Sequence, residues 1–156
     1  MTAPIYSIIT GGAIALSAAT AKSILGAKAH ANSGLQLLAA RIGFDGVTAS
    51  AVPVLVELCY CTFGANAPGT NSTSVTPAQK SGRVLTAGFT AGKTWTTEPT
   101  TITVLDEWLL TPNGGLVLLD LPLGNEYDTA LGEGLLIRCN APAAVNVRAT
   151  MDFTRI

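Results

Sequence analysis

From Val145 to Thr154 the chain alternates without a fault. Val145, Val147, Ala149, Met151 and Phe153 are apolar, and Asn146, Arg148, Thr150, Asp152 and Thr154 are polar. Successive side chains of a strand point to opposite faces, so this is the period of a strand with one face in a core. A single strand cannot bury that face, so the rest of the chain must supply partners. It supplies further strands and no convincing helix. Val52 to Tyr60 repeats the pattern, with Val52, Val54, Val56, Leu58 and Tyr60 facing a core. Pro53 lies near its start, where a missing N–H is tolerated. Residues 35–44 predict a third strand, with Leu38, Ala40, Ile42 and Phe44 inward and Gln36 an exception at its start.

Thr101 to Leu110 reads as a strand containing Trp108. Thr111-Pro112-Asn113-Gly114-Gly115 then reads as a turn, because Asn-Gly is the strongest short hairpin signal. Leu116 to Leu121 is expected to return antiparallel to Thr101–Leu110, and its apolar run predicts cover on both faces. Leu135 to Cys139 adds a short strand before a turn around Pro142. Residues 14–29 are rich in Ala, which favours helix; Gly26 and the Ser and Thr content oppose it, and the reading is mostly extended chain.

The 20 Thr, 16 Gly and 8 Pro punctuate these runs every ten or so residues. Seven or eight short strands so spaced predict an all-β fold, an antiparallel two-sheet sandwich of jelly-roll or other Greek-key type. The 156 residues are the length of one domain. We assign residues 16–156 to it and residues 1–15 to an extended N-terminal arm, whose Ile5, Tyr6, Ile8 and Ile9 are expected to dock on a partner. Residues 64–82 are Gly, Pro, Asn, Ser and Thr with Val75 as their one large aliphatic side chain, which predicts a long exposed loop.

Charge is scarce: Asp, Glu, Lys and Arg make up 12% of the chain, against about 25% in a typical domain. The formal net charge is −1, so no basic field exists to hold nucleic acid. A surface so poor in charge has little repulsion to keep copies apart, and predicts cover by other subunits. Residues 8–21 are apolar but lack a basic leader before them and are interrupted by Gly11-Gly12, which argues against a signal peptide or a membrane span. Cys59, Cys61 and Cys139 are odd in number and the only histidine, His30, is far away, so a metal site is not expected; buried free thiols and a reducing compartment are.

Candidate chemistry reduces to bland alternatives. Ala87-Gly-Phe-Thr-Ala-Gly92-Lys93-Thr94 approaches a phosphate loop, and Leu116-Val-Leu-Leu-Asp120 an apolar strand ending in a magnesium-binding Asp. The residues after Thr94 make a poor helix, and a phosphate loop must open one. Asp106 and Glu107 are strand neighbours on opposite faces, so they do not share a proton. Glu126 and Asp128 can share a face but read as loop residues. Trp95, Trp108, Tyr60 and Tyr127 suggest a sugar platform, and an alternative reading is a carbohydrate- or host-surface-binding module; Trp108 fits a core or subunit contact better. No catalytic residue and no cofactor are assigned.

Several phrases in order carry a resemblance: Thr20-Ala-Lys22-Ser-Ile-Leu25-Gly26, Gly43-Phe-Asp-Gly46, Val52-Pro-Val-Leu-Val56-Glu57 and Glu98-Pro99-Thr100. Trp108 follows, then Pro112-Asn-Gly-Gly115, Leu121-Pro-Leu-Gly124, Glu126, Ile137-Arg138 and the strand ending Met151-Asp-Phe153. Over residues 16–156 the chain resembles small virion structural proteins of tailed bacteriophages that serve as head decoration or auxiliary proteins. The resemblance implies a jelly-roll homotrimer on the outside of a capsid lattice, bound to the major capsid protein and folded in the bacterial host's cytoplasm. It implies no enzymatic residues. The family's pattern ends acidic, whereas this chain ends Asp152-Phe-Thr-Arg155-Ile156, so its terminal contact is not carried over.

Overall fold

The computed structural model of the chain describes residues 3–45, 52–113 and 117–156. Among these residues every regular element is a strand: β1 (Ile5–Ile9), β2 (Ile14–Leu16), β3 (Ala21–Lys28), β4 (Leu35–Asp45), β5 (Val54–Thr62), β6 (Thr73–Val75) and β7 (Ala78–Ser81). The series continues with β8 (Thr90–Lys93), β9 (Thr101–Leu110), β10 (Val117–Asp120), β11 (Tyr127–Asp128), β12 (Gly134–Asn140) and β13 (Val145–Arg155). They form two packed antiparallel sheets, as the punctuated strand pattern predicts. One runs β10-β4-β13-β1-β7, with β11 continuing β10 alongside β4 and β2 continuing β1 alongside β13. The other runs β6-β8-β3-β12-β5-β9.

The pairing is nested. β1 and β2 pair with β13, β3 with β12, β4 with β10 and β11, and β5 with β9. The chain is thus one long hairpin folded over, with its 63–100 segment inserted at the tip. The inner faces share one core. Val145, Val147, Ala149, Met151 and Phe153 of β13 are all buried in it, as their alternation requires. Opposite lie Ile24, Leu25, Val54, Val56, Leu58, Leu135 and Ile137.

Four expectations change. The Asn-Gly hairpin is not formed: β9 pairs with β5 and β10 with β4, so the chain crosses between sheets after Leu110. Trp108 and Leu110 on one edge strand and Leu119 on the other all pack on the inter-sheet core, and that burial outweighs local turn propensity. The turn residues Gly114 to Leu116 lie outside the described residues.

The second change concerns the arm. Residues 5–9 lie inside the sheet, between β13 and β7, and Tyr6 and Ile8 are buried in the protein's own core. Only Ile9, of the four apolar side chains assigned to partner docking, is strongly exposed. Pairing on both sides, with β13 and with β7, seats this short segment as a strand.

Third, residues 64–82 are largely exposed but not a free loop, because they contain β6, an edge of one sheet, and β7, an edge of the other. Fourth, β4 does not keep one parity. Asp152 pairs with Ala39 and Phe153 with Leu37, leaving Leu38 as the extra residue of a β-bulge. Leu35 and Leu37 therefore face the core before the bulge, and Ala40 and Ile42 after it. Gln36, the apparent exception, is on the outer face as a result.

Candidate functional site

The outer face of the β3-β12-β5 region is covered by the inserted segment. Cys59, Cys61, Phe63, Trp95 and Leu136 form a second, smaller core there. The rings of Phe63 and Trp95 stack with centroids 5.8 Å apart. The Trp95 indole N–H donates to the Asn66 carbonyl at 2.8 Å, and the Asn66 amide donates to the Glu98 carbonyl at 2.8 Å. Glu98 reaches down to β3, accepting from the Ser23 amide at 2.8 Å and from the Ser23 hydroxyl. Beside it the buried Glu57 carboxylate is paired with the Arg138 guanidinium at 2.6 Å. Burial pushes the Cys59 thiol up to about 12, and raises Cys61 and Cys139 as well, so all three are protonated hydrophobes.

The outer face of the other sheet centres on Asp152, which is 3% exposed. Its carboxylate accepts from Arg41 at 2.9 Å and Lys80 at 2.8 Å. Burial alone would raise its pKa, but Lys80, Ser7 and Arg41 together hold it below the usual carboxylate range.

The sequence candidates are dispersed. Lys93 lies in β8, with no helix following it among the described residues, and its ammonium donates to the Thr10 carbonyl. His30 is in an exposed turn, where its Nδ1 accepts from the Asn32 amide at 3.2 Å. Among the described residues no three His, Cys, Asp or Glu side chains are placed to hold a metal ion. Trp95 is 2% exposed and Trp108, Tyr60 and Tyr127 are half-buried, so these rings do not make an exposed platform. Trp108 sits between the sheets beside Ala40, Ile42, Val56, Leu58 and Leu119. Close by, the Tyr127 hydroxyl on one edge strand donates to Asp106 on the other at 3.2 Å. Burial and the Asp106 carboxylate both raise the Tyr127 pKa, so it stays a donor.

Two surfaces stand out instead, at opposite edges of the sandwich. The first is the turn after β7. The Gln79 amide donates to the carbonyls of Ser81, Gly82 and Arg83, and its oxygen accepts from the Leu85 amide at 3.2 Å. The Tyr6 hydroxyl adds a bond to the Leu85 carbonyl at 2.8 Å. This bonded turn displays Arg83, Val84 at 88% exposure and Leu85 at 49%. The second is β9, the ten-residue edge strand across the molecule, which exposes Val104, Leu105 and, at 70%, Leu109 beside Glu107. Leu105 is left over in the ladder, since Leu58 pairs with Asp106 and Cys59 with Val104.

Sequence reasoning passed over Arg83-Val84-Leu85, three residues too few to carry a period. The two aliphatics following a base at the end of an otherwise polar stretch were the available signal. No protein family model, no curated protein and no solved structure matches the chain.

Proposed function

We propose that the protein is a non-enzymatic structural subunit of a tailed-bacteriophage virion, decorating and stabilising the capsid lattice as a homo-oligomer, trimeric as the resemblance implies. Its partners in this reading are further copies of itself and the major capsid protein, its place is the outer surface of the capsid, and it folds in the host cytoplasm. We read the nested strand pairing as a jelly roll, the eight-strand form of two Greek keys wound together. The resemblance is carried by the ordered phrases from Thr20 to Phe153.

The observation that carries an assembly role is the exposure of Val84 and Leu109, far apart and each on well-bonded backbone, in a chain with only 12% charged residues. Large side chains held out by an organised turn and by an edge strand are suited to burial against another protein. The alternative reading, a carbohydrate- or host-surface-binding module, has less support, because Trp95 is buried and Trp108, Tyr60 and Tyr127 are half-buried against the core.

The test is cosedimentation of the purified protein with phage heads that lack it. Saturable binding at a fixed ratio to the major capsid protein, together with raised resistance of the heads to heat or chelator, is the expected result. Failure to bind heads at any concentration sinks the assignment.

A further inference from the structure

Charge is segregated along this chain. Residues 58–97 hold Lys80, Arg83 and Lys93 and no acid, whereas residues 98–137 hold seven acids and no base. The fold sends these two stretches to opposite edges. The basic stretch builds β6, β7 and β8, which end both sheets on one side. The acidic stretch builds β9, β10 and β11, which end both sheets on the other. Arg83 makes no ion pair among the described residues, nor does Glu107, and both are exposed. Each edge also carries exposed aliphatics: Val84 and Leu85 beside Arg83, and Val104, Leu105 and Leu109 around Asp106 and Glu107.

We propose that copies of this chain associate head to tail, the Arg83-Val84-Leu85 turn of one copy docking on the β9 edge of the next. The reading of the protein as an assembly subunit underlies this inference, which adds the surfaces and the symmetry. Self-pairing of two β9 edges would bring Asp106 and Glu107 of both copies together, and like charges across an interface are strongly unfavourable. The two edges of one sandwich, by contrast, complement each other in both charge and hydrophobicity. An interface between two different surfaces of the same chain is heterologous, and it yields a finite particle when the rotation closes into a ring. Arg83 then faces Glu107, while Val84 and Leu85 cover Leu105 and Leu109. The bonds from Gln79 and Tyr6 hold the turn in shape beforehand, which limits the entropy lost on docking.

The experiment is sedimentation velocity of the full-length protein and of two charge reversals, Arg83→Glu and Glu107→Arg, with far-UV circular dichroism to confirm that each folds. The wild type sediments as a closed oligomer that loosens at high salt, where the ion pairs are screened. Each reversal alone weakens association by at least about tenfold. The double variant carrying Arg83→Glu and Glu107→Arg in one chain restores it, because every contact of a ring of any size then pairs one reversed charge with the other. Insensitivity of the oligomer to Arg83→Glu, or failure of the double variant to reassociate, overturns the head-to-tail arrangement. A head-to-tail oligomer that does not bind phage heads overturns the virion reading and leaves this one standing. A wild type that stays monomeric at the concentration present on heads overturns both.

Discussion

Asp152 is nearly sealed from solvent yet charged, because Arg41 and Ser7 converge on it from the flanking strands β4 and β1, and Lys80 from β7 beyond β1. Its pKa in the folded protein lies below its value in the unfolded chain. A depressed carboxylate contributes stability that is fully present above the unfolded value, near 4, and is lost as pH falls through the folded one. Asp152→Asn should therefore lower the unfolding free energy at pH 7 by about 2 kcal/mol. It should also flatten the loss of stability below pH 4; urea titrations of both proteins from pH 7 to pH 2.5 read both effects. The alternation shows that Asp152 is on the outer face, but its three partners come from elements scattered over the chain, and no local pattern announces them. The same holds for Glu57 and Arg138, 81 positions apart and opposite each other across β5 and β12. Removing the Glu57 carboxylate strands a guanidinium at a poorly solvated site. Glu57→Ala should cost about 3–5 kcal/mol in chemical denaturation, well beyond the ordinary effect of an exposed charge.

At the level of elements, strand positions were legible wherever alternation ran long enough. β13, β5, β9 and β12 lie within two residues of where their patterns place them. Partners were less legible than positions, because turn chemistry speaks only to local pairing. The stretch after Leu110 has hairpin residues, yet each flanking strand gains more by burying its inner face against the opposite half of the core. The bulge at Leu38 hid in a run, Leu35 to Ala40, where five of six side chains are apolar and either parity fits. β1 was hidden by its brevity. Its position between β13 and β7 gives a direct prediction: deleting residues 3–10 removes β13's neighbour and β7's partner together, and leaves Phe89 and Phe153 without the Tyr6 ring beside them. The truncated chain should lose its cooperative thermal transition. A folded truncated protein with the native melting profile would mean that β1 is dispensable.

On the scale of the whole molecule, the candidate surfaces could be found only once the fold had brought distant stretches to their edges. The run of bases and the run of acids are plain in the sequence, but their lying on opposite sides of a sandwich is a property of topology. The nested pairing has a further consequence in time. β1 and β2 have β13 as their partner, and β3 has β12, so the earliest strands to be synthesised must wait for the last. Folding that depends on such distant closures is slow, with a loop entropy to overcome before any contact rewards it. Chains ending at residue 140 should stay unfolded or aggregate, a result that limited proteolysis of that truncation would read. A nascent chain interrupted before β13 leaves β4 and β1 without the strand that joins them, so an incomplete copy never presents the Gln79-bound turn. For a chain that joins copies of itself as proposed above, this makes completeness of translation a condition of admission: each copy is checked at its own seam before it can join another.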